Sequence, residues 1–149
     1  MDEGTRPCAV ALAPNDADGY EALAEILGWS GQAEESIGMI RRAMRLNPHY
    51  PFFYQWTLGH GYYLIERRQE ALDAFARVVR ENPNFVPAYA YRAVLFSELG
   101  RVREAREAWE KASHLSPGVS MGSLRERIPY RRPADLDRLL TAAHRAGMP

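Results

Sequence analysis

The chain has 149 residues, 46% of them hydrophobic and 26% charged, with 19 basic side chains against 19 acidic ones. That is the composition of a folded domain with material for one continuous core, and zero formal charge excludes a global field for nucleic acid or an anionic membrane. Cys8 is the sole cysteine, which excludes an internal disulfide and a cysteine-based zinc site.

The first forty residues hold eight acids and one arginine, and residues 118–149 hold six arginines and three acids. This asymmetry suits either two solvated faces or a head-to-tail pairing of copies. The apolar run Cys8–Ala13 is too short for a signal core or a membrane span, and no later stretch approaches twenty apolar residues. A cytoplasmic protein is expected. Lys111 is the only lysine, and the bias toward arginine suggests a GC-rich bacterial genome.

In chain order, residues 1–14 ("CAVALAP" and its leader) are in phase with the end of an earlier helix whose first half is missing. Residues 15–48 carry two helical patterns, with Tyr20, Leu23 and Leu27 in the first and Ala33, Ile37, Ile40 and Met44 in the second. Residues 49–83 repeat the arrangement with Leu58, Tyr62 and Leu64, then Ala71, Phe75, Val78 and Val79. Residues 84–117 do so with Tyr89, Ala93 and Phe96 up to Gly100, then Val102, Ala105, Trp109 and Ala112, with Arg and Glu on the opposite face. Pro14, Pro48, Pro83 and Pro117 close successive units at spacings of 34, 35 and 34; the residue before each proline is pushed out of the helical region. Residues 118–149 change pattern. They predict a short helix over 121–127 and a stronger one over about 134–146, started by Pro133 and stopped by Gly147. This pair reads as a lid over the last unit's exposed face, which a stacked repeat needs for solubility.

Paired helices at this period, with Leu58, Gly59 and Tyr62, then Ala71 and Phe75, then Pro83, resemble the tetratricopeptide repeat family, whose signature is W-x2-L-G-x2-Y, A-x3-F, P. Trp56 stands one position off the opening tryptophan. Tyr89, Ala93, Phe96, Ala105 and Trp109 match in the last unit, and Tyr20, Leu23, Ala24 and Leu27, then Ser36 and Ile40, match more loosely in the first. Arg92 departs from the pattern, standing where leucine belongs, with Glu25 or Glu98 as a candidate counter-charge. The tail, with "LNPHYPFFYQWTLGHGYY", is also similar to the carboxy-terminal repeat regions behind bacterial class III nucleotide cyclase domains and winged-helix regulators, although neither domain is in this chain.

The resemblance implies an all-α, right-handed α-solenoid of antiparallel helix pairs: about three units (15–48, 49–83, 84–117) and C-terminal capping helices (118–149). It further implies that the first helices line a concave groove. Asp18, Glu21 and Glu25 would stand there from the first unit, Phe53, Trp56, His60 and Tyr63 from the second, and Ala90, Val94 and Ser97 from the third. Leu23, Ala24, Leu58, Gly59, Tyr62, Ala71, Phe75, Ala93, Phe96, Ala105 and Trp109 would pack the units. Phe52, Tyr54 and Tyr62 would be core, with Tyr54 and Gly61 against the preceding unit. The aromatic groove, acidic at one end, would take a basic-plus-hydrophobic peptide or a helix with one apolar face, unless the chain's own tail or a second copy fills it. Chaperone adaptors of this family clamp a terminal carboxylate with Lys, Arg and Asn, and none of those types stands at these positions.

No catalytic constellation appears. His49, His60, His114 and His144 fall on different elements, and no H-E-x-x-H, P-loop or G-x-G-x-x-G is present. "GHG" at 59–61 lies mid-helix, where close packing accounts for its glycines. His60 is either a pH-sensing hydrogen bonder or an ordinary half-exposed histidine. Arg125, Arg127, Arg131 and Arg132 form a basic cluster with only Tyr130 nearby, less than a nucleic-acid site needs. The expectation is a non-catalytic protein-interaction scaffold with no metal, cofactor, nucleic acid or membrane partner. The alternative is a homodimerising module that covers open apolar surface around Ile26.

Overall fold

The computed structural model describes residues 15–149. The expected remnant of an earlier unit at 1–14, with Cys8, lies outside them. Among the described residues there are eight helices and no strand: α1 (Ala17–Trp29), α2 (Ala33–Leu46), α3 (Phe52–Leu64), α4 (Arg68–Glu81), α5 (Val86–Glu98), α6 (Val102–Leu115), α7 (Met121–Arg127) and α8 (Pro133–Arg145). The first six pair as α1·α2, α3·α4 and α5·α6, and each pair stacks on the last through α2·α3 and α4·α5. This is an all-helical α-solenoid.

The two helices of each pair bury themselves differently. In α4, Ala71, Leu72, Ala74, Phe75 and Val78 face inward, while arginines and acids between them stay in water; α2 and α6 are built alike. The first helices have neighbours on several sides. In α3 every residue from Thr57 to Tyr63 is buried, and a helix apolar all round is stable only when enclosed. That is why "PFFYQWTLGHGYY" carries six aromatic rings: α3 has almost no solvent face left.

Two kinds of glycine position keep the repeat in register. The turns inside the pairs need a left-handed residue, met by Gly31 (φ 85°), Glu66 (φ 63°) and Gly100 (φ 74°) at equivalent places. Glu66 takes this conformation at a cost of about 1–2 kcal/mol, partly offset by its ion pair with Arg68 at 3.2 Å. Gly59, inside α3, answers to close approach: a Cβ there would stand 2.7 Å from the Phe75 ring and 3.1 Å from the Ala74 Cβ. Gly59→Ala is therefore expected to destabilise by about 1–3 kcal/mol despite alanine's better helix propensity. Phe75→Leu, which withdraws the ring, is expected to relieve part of that cost. Urea unfolding of both single variants and the double variant checks it; strictly additive losses would refute the contact.

Three expectations are corrected. Val102, placed on the buried stripe of α6, is 58% exposed, because it is the first residue of its helix and has no turn behind it. Arg92 is met by neither Glu25 nor Glu98. Its guanidinium lies 5.7 Å from the centroid of Phe96, burial lowers its pKa while Tyr89 and Glu104 partly restore it, and its Nε is buried without a hydrogen-bond partner. The tail covers the last unit on its inner side. α8 packs against α5 and buries Leu139, Leu140, Ala142 and Ala143, and the segment before it runs back to the end of α1.

Candidate interaction surface

The inner surface is made by α1, α3 and α5. Trp56 of α3 meets Tyr91 of α5 edge-on at 5.2 Å, with Phe75 and Phe85 each at 5.3 Å. One turn on, the His60 ring lies 4.3 Å from Trp29 of α1 and 5.6 Å from Tyr91. Tyr63 closes the row, edge-on to Tyr91 at 5.1 Å. Spacings of three and four put Trp56, His60 and Tyr63 on one face of α3.

Into this wall comes Tyr130, from the link between α7 and α8. Its hydroxyl is 2.7 Å from His60 Nε2 and 2.8 Å from the Tyr91 hydroxyl, and its ring is 5.0 Å from Trp29. The Arg131 amide donates to the Trp29 carbonyl at 3.0 Å, one of the carbonyls left over at the end of α1. Beyond it, Arg138 donates through Nη1 to the Tyr63 carbonyl at 2.8 Å, lies 4.3 Å over the Tyr63 ring, and pairs with Glu98 at 2.9 Å. Arg68 of α4 reaches the same carboxylate at 3.1 Å. The Tyr63 hydroxyl is buried and unpartnered.

Burial sets the protonation states. His60 is pushed down to about 3, so it is neutral across the physiological range; neither a pH sensor near 6.5 nor a half-exposed ring describes it. Burial raises the Tyr63, Tyr91 and Tyr130 hydroxyls far above the usual range, so all three stay protonated.

Beside Tyr130 an apolar cavity of about 420 Å³ stays open, bounded by Trp56, Val86, Ala90 and Tyr91 on the wall and by Val119, Leu124 and Ile128 on the tail, with Arg127 at its edge.

The expected groove residues separate into groups. Trp56 and Ala90 line the cavity. His60, Tyr63 and Val94 are buried, and Phe53 and Ser97 are half-buried. Asp18 accepts from the Tyr54 hydroxyl at 2.5 Å, and buried Glu21 accepts from Thr57 at 2.7 Å, so both acids join α1 to α3. Burial raises the Glu21 carboxyl pKa despite that bond. Glu25 is exposed, as is Ile26 at 56%. The packing residues Leu23, Ala24, Leu58, Gly59, Tyr62, Ala71, Phe75, Ala93, Phe96, Ala105 and Trp109 are all buried. Arg125, Arg127, Arg131 and Arg132 are exposed, and no cluster able to hold a metal ion occurs among the described residues. Trp29, Tyr91, Tyr130, Glu98 and Arg138 escaped sequence reasoning as parts of the surface. One signal was available: Pro129 and Pro133 bracket Tyr130 and force extended backbone around it.

No protein-family model matches the chain. Among solved structures it is similar to MamA, at 20% identity and TM-score 0.68 over 93% of this chain and 81% of that one. It is also similar to MamA of Desulfovibrio magneticus RS-1, at 17% identity and TM-score 0.67 over 92% and 80%. The first TPR domain of human RPAP3 aligns at 18% identity and TM-score 0.65 over 88% and 97%. A curated protein, Hsp70-Hsp90 organizing protein 3 of Arabidopsis thaliana, is 31% identical over 68 residues, which are 46% of this chain and 12% of that protein. The chain thus has the TPR-like α-solenoid fold.

Proposed function

We propose that the chain is a non-catalytic protein-interaction scaffold that takes a peptide or a helix on its inner surface. The observation that supports this most is the open cavity beside Trp56, Ala90 and Tyr91. At about 420 Å³ it lies in the size range of ligand pockets, and an aromatic wall with an apolar floor suits a large side chain of a partner at low entropic cost. The carboxylate-clamp partner class of chaperone adaptors does not follow from the likeness to a chaperone-organising protein. The groove positions on α1, α3 and α5 carry acids, aromatic rings and small residues in place of Lys, Arg and Asn.

The test is a peptide-display selection against the full chain, followed by affinity measurements on Val86→Arg. Val86 is half-buried at the start of α5 and lines the cavity, so an arginine there should obstruct the cavity with little effect on the core. Selected peptides are expected to bind this variant at least tenfold more weakly at an unchanged thermal transition. Undiminished binding would overturn the reading.

A further inference from the structure

We propose that residues 128–133 are a displaceable internal ligand, and that the inner surface accepts from a partner an extended segment of the same chemistry: Pro-Tyr followed by arginine. The proposal deepens the scaffold reading and rests on it.

The segment is held as a bound peptide would be held. Ile128 (φ −84°, ψ 117°) and Arg132 (φ −90°, ψ 120°) are extended, as the prolines after them dictate. Its polar anchor is the Tyr130 hydroxyl, which lies within hydrogen-bonding distance of both His60 and Tyr91, and Ile128 packs half-buried beside it. A phenylalanine there would leave both partners facing an apolar edge, so the pair selects tyrosine. One backbone bond fixes direction, from the Arg131 amide to the Trp29 carbonyl.

The chemistry around the segment selects positive charge. Arg131 and Arg132 lie at the carboxy-terminal end of α1, the negative pole of the helix dipole. The Arg132 chain passes so close over Gly31 that a Cβ there would stand 2.2 Å from its Cδ. It then borders a recess of about 370 Å³ edged by Glu34, Glu35 and Asp135; Asp135 accepts its charge at 3.9 Å.

The attachment is made by half-buried side chains, Val119, Met121, Leu124, Ile128 and Tyr130, none of them fully buried. Pro129, Arg131, Arg132 and Pro133 are exposed, and α7 before them buries no residue. α8 after them is anchored by Leu139, Ala143 and the Arg138–Glu98 pair. Residues 119–133 therefore form an arm that meets the core through half-buried side chains and the Met121 amide on the Pro149 carbonyl, whereas α8 buries four residues and stays docked. Leu124 and Ile128 of this arm also wall the cavity, so one movement frees the tyrosine site and widens the cavity.

The experiment uses the full chain and a fluorescein-labelled peptide of residues 124–134, with a control peptide in which the tyrosine is alanine. By anisotropy, Tyr130→Ala is expected to bind the labelled peptide at least tenfold more tightly than the unaltered chain does, and to bind the control at least tenfold more weakly than the parent peptide. A folded Tyr130→Ala chain that gains no affinity overturns the proposal, and does so without touching the scaffold reading if Val86→Arg still abolishes selected peptides. Should Tyr130→Ala fail to fold, hydrogen exchange on the unaltered chain decides. The Arg131 amide is expected to exchange at least a hundredfold faster than those of Tyr62 and Tyr63. Equal protection would make the segment a fixed part of the core and overturn the proposal.

Discussion

Between pH 6.5 and 4 the protein is expected to lose about 3 kcal/mol of stability through His60 alone, at about 1.4 kcal/mol per pH unit. Burial depresses this imidazole to about 3 in the folded chain, whereas an unfolded histidine titrates near 6.5. Below the unfolded value the unfolded state binds a proton that the native state refuses. The native state's advantage is therefore complete above about pH 6.5 and declines as the pH falls toward 3. The groups facing the ring are Trp29, Trp56, Tyr63, Tyr91 and Tyr130. None is a carboxylate that could stabilise an imidazolium, and the Tyr130 hydroxyl stays neutral. Glu21 works in the opposite direction. Its burial-raised carboxyl binds a proton more readily folded than unfolded, which returns part of the stability at the acidic end. Urea unfolding at a series of pH values gives the slope, and His60→Gln is expected to flatten it over this window. An unchanged slope in that variant would place the pH dependence elsewhere. Over pH 7 to 8 His60 is neutral in both states, so the inner surface gains no pH switch from it.

The sequence carried the helices well because their signals are local. Proline spacing marks the ends of α2, α4 and α6, and Pro133 and Gly147 bracket α8, which begins at Pro133, one residue before the expected start. The close approach at Gly59 was legible from residue size in the same way. The occupant of the inner surface was not. The contact that decides it joins His60 to Tyr130 across 70 positions, and periodicity reveals which face of α8 is apolar without saying what it meets. Two candidate coverings of the groove, the tail and a second copy, were equal in the sequence; in the structure Tyr130 of the tail enters the aromatic wall on the extended link between Pro129 and Pro133, and a cavity beside it stays open. The bonds that Asp18 and Glu21 make to α3 were hidden for a related reason. A carboxylate on the groove side of a helix looks free until the neighbouring helix brings a hydroxyl, and Tyr54 and Thr57 bring two. Arg92 looked in need of an acid, yet a guanidinium over an aromatic ring is attracted to it as well, and Glu98 was committed to other arginines.

That commitment carries the second large effect. Glu98→Ala is expected to destabilise the chain by about 2–3 kcal/mol. Removing one member of a buried ion pair costs about 3–5 kcal/mol because its partner keeps an uncompensated charge. Here the carboxylate side chain is only 9% exposed, while Arg138 and Arg68 are 22% and 29% exposed, so water recovers part of the loss. Two guanidinium groups would then face each other across the space it leaves. Arg138→Ala is expected to cost less, about 1–2 kcal/mol, since Glu98 keeps Arg68; what goes is the bond to the Tyr63 carbonyl and the stacking on its ring. The double variant should lose about 1–2 kcal/mol less than the sum of the two singles, and additive losses in urea unfolding would rule out the latch. The location of the latch gives the measurement a second use. Glu98 ends α5, Tyr63 is near the end of α3, and Arg138 lies in α8, so the three tie the tail helix to two units at once. Loosening this point should raise hydrogen exchange throughout α8, whereas Tyr130→Ala should raise it only over residues 119–133. Two separable patterns are what a fixed helix carrying a movable arm requires.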